Sequence, residues 1–362
     1  SSINKRIKSI MAYTTINKSS LFQNTKLYAG NATNNATVTG VGFQSDFTWL
    51  KARSGSQSTQ PNWVFDSIRG ATKPLVTNSS AAEETEAGSL KSWQSNGFTL
   101  GTNNEINGSS TEYASWNWKA GTSVSGNTTG SGTYKSYSGS VNTTSGFSII
   151  KYAGNGASGH TIPHRLSAIP KMIMVKTLGN NQWQVYHATM GNTKKLCLDD
   201  DSAQSTQSNR WNDTSPTSSV FTLGNHVSVN SNNVSYIAYC FADVKGYSKM
   251  SGYTGNNQTG NSSPFIYTGF APTWLMVKKY SATNHWIIWD NRRSTKNGAN
   301  IIDKKLYANL TNAENGAEDV SFLSNGFKFN TNTGDWNEAQ NYLYMCFGQS
   351  LVGSNNTPAT AK

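Results

Sequence analysis

Three short stretches of this chain run almost wholly apolar. They are Asp46-Phe47-Thr48-Trp49-Leu50-Lys51, Lys171-Met172-Ile173-Met174-Val175-Lys176 and Thr273-Trp274-Leu275-Met276-Val277-Lys278, each closed by a lysine. Runs of this length suit strands covered on both faces, and Pro170 and Pro272 stand where two of them would begin. Three further stretches alternate. Aligned on Tyr113, Tyr236 and Tyr342, one face carries Ala114/Ile237/Leu343, Trp116/Tyr239/Met345 and Trp118/Phe241/Phe347. The other carries Tyr113/Tyr236/Tyr342, Ser115/Ala238/Tyr344 and Asn117/Cys240/Cys346. Period two with one wholly apolar face predicts antiparallel strands packed on that face and wetter on the mixed one. Asn96-Gly97, Asn107-Gly108 and Asn325-Gly326 read as hairpin turns, because Asn-Gly tolerates positive φ. Ile3, Ile7 and Ile10, with Lys5, Arg6 and Lys8 between them, predict a short amphipathic helix.

These elements recur in constant order, so the chain is a tripled module. Tyr28-Ala29-Gly30-Asn31, Tyr152-Ala153-Gly154-Asn155 and Tyr253-Thr254-Gly255-Asn256 open the copies. The lysine-closed runs follow, then Gly97-Phe98-Thr99-Leu100, Val220-Phe221-Thr222-Leu223 and Gly326-Phe327-Lys328-Phe329, then the alternating strands. Units of about 100 residues exceed solenoid repeats and can bury cores of their own. The expectation is an all-β chain of three tandem antiparallel β-sandwich domains, jelly-roll or lectin-like, with a short N-terminal helical arm. The divisions are an arm at 1–26, repeat 1 at 27–120, a Gly/Ser/Thr-rich linker at 121–146, repeat 2 at 147–250, repeat 3 at 251–350 and a tail at 351–362. The linker reads as flexible by default, although Tyr134 and Tyr137 interrupt it and suggest an extended strand laid over a neighbour.

Composition agrees with this reading. Charged residues make up 14% and aromatics 11%, including 11 Trp, which argues against disorder and for turn-rich β structure. Net charge is +11, which solubilises the chain and favours anionic polymers. No dense Lys/Arg run follows the first ten residues, so no nucleic-acid partner is expected. No stretch is long and apolar enough to span a bilayer, and no apolar h-region follows the basic start, so neither membrane insertion nor Sec export is expected. Cys240 and Cys346 hold equivalent positions in separate copies, too far apart to bond, which points to free, half-buried thiols.

Catalytic chemistry finds little footing. His160 and His164 have metal-ligand spacing, but Pro163 between them opposes a shared helical face. Asp199-Asp200-Asp201 has calcium-like density, yet the other copies lack it, so a solvated acidic turn is expected. The most polar repeated phrase begins Asp66-Ser67-Ile68-Arg69, with counterparts His187-Ala188-Thr189-Met190 and Asp290-Asn291-Arg292-Arg293. A catalytic acid would not be exchanged for histidine. The phrase therefore reads as a turn whose Asp or His caps backbone N–H groups, with a degenerate ligand site as the alternative. No facing carboxylate pair for polysaccharide cleavage is visible. No catalytic, cofactor or metal residue is assigned, and no enzyme activity or cofactor is expected.

Several motifs carry a resemblance. Asp66-Ser67-Ile68-Arg69-Gly70-Ala71-Thr72-Lys73, Ser95-Asn96-Gly97-Phe98-Thr99-Leu100-Gly101, Tyr236-Ile237-Ala238-Tyr239-Cys240-Phe241-Ala242, Gly246-Tyr247-Ser248-Lys249 and Leu351-Val352-Gly353-Ser354-Asn355-Asn356 resemble a repeat of virion structural proteins from marine bacteriophages, of the cyanophage and pelagiphage type. His187, Met190 and Ser294 depart from it. The resemblance implies a lectin-like fold and a tail-fibre or spike-type appendage in the virion, assembled in the host cytoplasm. Residues 1–10 lie outside the resemblance; the tripled module, positive charge and many aromatics add the expectations of a homo-oligomer, of other virion proteins bound through the N-terminal arm and of a host-surface glycan as ligand, with a capsid decoration protein as the alternative. The best-kept phrases are strands and turns, so recognition belongs on loops where the copies differ.

Overall fold

The computed structural model describes residues 13–296, 300–316 and 319–353. The helix expected over residues 3–10 and the tail beyond 353 lie outside the described residues. The fold is all-β: among the described residues there are six sheets, with every strand pairing antiparallel.

Each repeat sets three strands side by side in a large sheet: the opening strand, the alternating strand and the lysine-closed run. These are Gln23–Ala29, Thr111–Trp118 and Phe47–Gly55 in repeat 1. They are Phe147–Ala153, Ser235–Ala242 and Pro170–Thr177 in repeat 2, and Ser248–Thr254, Asn341–Gln349 and Ala271–Lys279 in repeat 3. Trp63–Asp66, Gln184–His187 and Ile287–Asp290 add a fourth strand. A smaller sheet backs each large one and presses Phe98, Phe221 or Phe327 into an apolar cluster between the two.

The opening phrase has a structural reason at its Tyr, Gly and Asn. Tyr28 stacks on Tyr113, Tyr152 on Tyr236 and Tyr253 on Tyr342, with centroids 5.0, 5.3 and 4.9 Å apart. Their hydroxyls donate to the carbonyls of Ile106, Val229 and Trp336 at 2.8, 2.7 and 2.6 Å. Gly30, Gly154 and Gly255 lie so close to the carbonyls of Gly108, Ser231 and Glu338 that a Cβ would collide with them. Asn31, Asn155 and Asn256 each accept a backbone N–H two residues on, at 3.0, 2.9 and 3.1 Å, closing Asx turns.

The repeats are not separate bodies. The apolar face of the alternating strands leaves its own repeat and enters one central core shared by all three. Trp118 meets Trp274 at 5.3 Å and Phe347 at 5.7 Å, Phe47 meets Tyr239 at 4.6 Å, and Phe241 meets Phe347 at 6.1 Å. The mixed face is not wetter, as the alternation predicts: Tyr113, Ser115, Asn117, Tyr236, Ala238, Cys240, Tyr342, Tyr344 and Cys346 are all buried, under the small sheets. Asn117 Nδ2 and Ser115 Oγ satisfy each other at 3.0 Å, and Ser115 donates to the Lys26 carbonyl at 3.0 Å, so polar residues are tolerated there. All three cysteines are free and fully buried.

Three further expectations are corrected. Residues 121–146 are not a flexible linker: Thr122–Asn127 and Ser136–Asn142 pair with each other and extend the large sheet of repeat 2 beyond Phe147–Ala153. Tyr137 is buried there, its ring lying across Gly126, whose φ of +155° and missing Cβ leave it room. Tyr134 remains exposed. Asn107-Gly108 closes a one-turn helix, Asn104–Asn107, rather than a hairpin. The segment 13–26 contains the start of the first strand and straps repeat 1 to repeat 3, with Ser19 N donating to Gln349 Oε1 at 2.7 Å and Tyr13 Oη to the Gly269 carbonyl at 2.8 Å.

Candidate functional site

The titratable residues of the polar phrase converge on the junctions between repeats. Asp66 Oδ1 accepts the N–H groups of Ile68 and Arg69 at 3.0 and 2.8 Å, Asp290 Oδ1 those of Arg292 and Arg293 at 3.0 and 3.1 Å, and His187 Nδ1 that of Thr189 at 3.2 Å. This is the capped turn the sequence predicts. The other end of each side chain reaches the next repeat. Tyr239 Oη donates to Asp66 Oδ2 at 2.6 Å, and Trp116 Nε1 donates to Asp290 Oδ2 at 2.8 Å. His187 Nε2 lies 3.2 Å from the Tyr344 carbonyl. Repeat 1 thus pins repeat 2, repeat 2 pins repeat 3, and repeat 3 pins repeat 1.

The receiving positions explain the change from Asp to His. Tyr239 and Trp116 bring an O–H and an N–H, which an aspartate can accept. Met345, at the matching position, brings neither, so the third junction uses an imidazole on a backbone carbonyl. The buried aspartates carry buried partners, Arg69 Nε at 2.5 Å and Arg293 Nε at 2.6 Å, with Glu83 and Glu314 accepting from the outer nitrogens at 3.2 and 3.0 Å. Where the pin is His187, the arginine is replaced by Met190. Full burial holds the His187 imidazole down at about 4.

A second set of contacts crosses each junction in the opposite direction. The residue just before the fourth strand donates to the preceding repeat: Asn62 Nδ2 to Leu310 O at 2.8 Å, Trp183 Nε1 to Val76 O at 2.9 Å, Trp286 Nε1 to Cys197 O at 2.8 Å. The lysines that close the apolar runs are buried and donate to carbonyls; Lys51 Nζ reaches Gln60 O at 2.7 Å and Thr311 O of repeat 3 at 2.8 Å. Burial lowers Lys51 to about 7 and Lys176 and Lys278 to about 8.

The remaining sequence candidates do not come together. His160 Nδ1 lies 2.8 Å from Asn230 Oδ1, whereas His164 accepts Leu166 N at 3.2 Å and contacts Thr217 O. Asp199 accepts Trp183 N at 3.1 Å, Asp200 accepts Gln182 Nε2 at 2.8 Å, and the Asp201 carbonyl accepts Asn284 N at 2.8 Å, so the acidic triplet lies at the junction of repeats 2 and 3. Among the described residues no three His, Cys, Asp or Glu side chains stand where they could share a metal ion. No described helix is long and apolar enough to cross a membrane.

Other differences between the repeats lie on the outside. In repeat 3, Phe265 and Tyr267 are 47% and 54% exposed where repeats 1 and 2 carry Thr37/Thr39 and Thr161/Pro163. Lys249 Nζ sits 5.4 Å from the Tyr267 ring. In repeat 2, the end of the added hairpin walls an open cavity of about 500 Å3. Its polar lining is Asn127, Thr129, Arg165, Ser167, Ser218 and Ser219, with no carboxylate. Arg165 Nε donates to Tyr137 Oη at 2.6 Å, with the guanidinium 5.5 Å from the ring centroid. Arg165 and Ser167 both hold left-handed backbone, at φ of 62° and 57°, a conformation costing about 1–3 kcal/mol each outside glycine. Repeat 3 uses Gly269 at the place of Arg165, as judged from the matching backbone bonds to Ser219 O and Asn325 O. Sequence reasoning missed this site. Its trace was there in the insertion at 121–146 and in a His164–Pro170 connection two residues longer than its Thr268–Pro272 counterpart (six steps against four).

The family profile of a domain of unknown function, DUF7483, matches residues 18–350. No curated protein and no solved structure matches the chain.

Proposed function

We propose that this chain, which belongs to the DUF7483 family, is a bacteriophage virion structural protein of the tail-fibre or spike kind that contacts glycans of the host envelope. Each repeat is a lectin-like β-sandwich, and the N-terminal arm joins the chain to other virion proteins in a homo-oligomer assembled in the host cytoplasm. One observation carries this reading. The buried ionic chemistry links the repeats, while the Arg165 cavity and the exposed aromatic pair each occur on a single repeat, at the surface. Exposed aromatics with hydroxyl and amide groups suit sugar rings, and several weak sites in one oligomer gain by avidity. The test is retention of the assembled protein on host envelope fractions; no retention sinks the attachment reading.

The exposed Phe265–Tyr267 edge favours a second reading, capsid decoration, in which this face packs on a neighbouring virion chain. Imaging the particle separates the two. Many copies on the capsid shell would exclude the appendage. Release of reducing sugar from host polysaccharide would replace both readings with a depolymerase.

A further inference from the structure

We infer that the repeat 2 cavity is a binding site for an acidic saccharide, a sugar chain bearing carboxylates, with Arg165 as the residue that takes the anion. The inference rests on the attachment reading only for where such a chain would be met.

The cavity is built by parts that the other repeats lack. One wall is Asn127, at the end of the hairpin strand Thr122–Asn127, with Thr129 just beyond it, and the rim is the longer connection that carries Arg165. Tyr137 fixes the guanidinium by accepting from Nε and lying under it. That fixation uses one donor of five. Among the described residues the two outer nitrogens of Arg165 make no bond to protein, and no carboxylate pairs with it. A guanidinium so held presents a planar fork, which matches a carboxylate in bidentate fashion. Around it stand the hydroxyls of Ser167, Ser218 and Ser219 and the amide of Asn127, all exposed and, among the described residues, without a side-chain partner. Thr129 Oγ1 is engaged with Thr161 Oγ1 at 2.6 Å. Hydroxyl and amide groups that both donate and accept suit sugar hydroxyls, while Pro163 and Val220 supply an apolar floor for a ring face. The volume falls within the ~300–1,000 Å3 of small-ligand sites. The left-handed backbone at Arg165 and Ser167 sharpens the point, since glycine at the same place in repeat 3 avoids that conformation's cost and carries no side chain.

The experiment is isothermal titration of the full chain with oligogalacturonate, with a dextran oligosaccharide of equal length as the neutral probe. Wild type is expected to bind oligogalacturonate with an affinity that falls as salt rises, and to bind dextran at least tenfold more weakly. Arg165→Gly keeps the left-handed backbone open to the chain and removes the fork; it should reduce oligogalacturonate affinity at least tenfold with an unchanged or higher Tm. Arg165→Lys, which keeps the charge but loses the fork, should fall between them. Equal binding by Arg165→Gly and wild type, equal binding of dextran and oligogalacturonate, or no binding of either sugar overturns the proposal. Retention of both forms on host envelopes separates the two claims. If wild type and Arg165→Gly are retained alike, attachment stands and this site falls. If neither is retained while oligogalacturonate binding depends on Arg165, the site stands and attachment falls.

Discussion

Two of the three pins are ionic and the third, His187, is neutral, and the contrast shows what a pin requires. Asp66 and Asp290 sit in the same turn, accept the same two backbone N–H groups, and hold an arginine three residues on. His187 occupies that turn with Met190 in place of the arginine. The turn itself tolerates either chemistry. The choice follows the neighbour: a donor on Tyr239 or Trp116 draws an aspartate, and Met345 leaves only a backbone carbonyl. A buried aspartate then needs a counter-charge, because an uncompensated buried ion is costly, whereas a neutral imidazole needs none.

The strongest way to break this contrast is to strip an ionic pin of its acid. Asp66→Ala or Asp290→Ala leaves a fully buried arginine without its closest partner, and a loss of about 3–5 kcal/mol is expected from denaturant unfolding. Next comes acid. Burial depresses the His187 pKa in the folded chain to about 4, below the ordinary 6.5. Between those values the unfolded chain binds the proton that the folded chain refuses. Stability is therefore full above pH 6.5 and falls as pH drops towards 4, by on the order of 3 kcal/mol for this group. His164 and His226 are depressed alike, so the diagnostic is the difference: His187→Gln should flatten the pH dependence by up to about 1.4 kcal/mol per pH unit in that window, and an unchanged slope would remove His187 from the account. A smaller effect comes from the receiving side. Tyr239→Phe deletes only the hydroxyl on Asp66 and should cost about 1.5–3 kcal/mol, since the bond is to a buried charge. Last is an exchange. Asp66→His with Arg69→Met should be partly rescued by adding Tyr239→Met, which recreates the repeat 2–repeat 3 pairing; a coupling of about 0.5–3 kcal/mol in a double-mutant cycle is expected, and strict additivity would show that the neighbour does not set the pin.

Much of this fold could be read from the chain, and the reasons are local. The lysine-closed runs and the alternating strands are strands because period and composition act within a few residues. The Asp/His phrase is a capped turn because a side chain two residues from its N–H partner has nowhere else to go. What could not be read was destination. Trp116 and Trp118 declare that they are buried, but nothing within one repeat says that the cover is Trp274 and Phe347 of another. Tyr113 and Asn117 looked half-wet because polar atoms can be buried wherever partners are supplied, and the partners lie on other strands. The hairpin at 121–146 was masked by Gly, Ser and Thr, which read as slack chain; only Tyr137 betrayed it. The cavity beside it depends on a left-handed arginine, which propensity discourages and tertiary structure imposes.

The cyclic order of the pins gives this chain a freedom that an assembly of identical subunits lacks. Three separate copies of one module closing the same ring would carry every loop, every junction and every pocket three times over, because symmetry repeats whatever one gene encodes. With the three modules in a single reading frame, an insertion can be made once. The hairpin of repeat 2, the aromatic edge of repeat 3 and the neutral pin between them are each such single edits, so the ring has distinguishable sides.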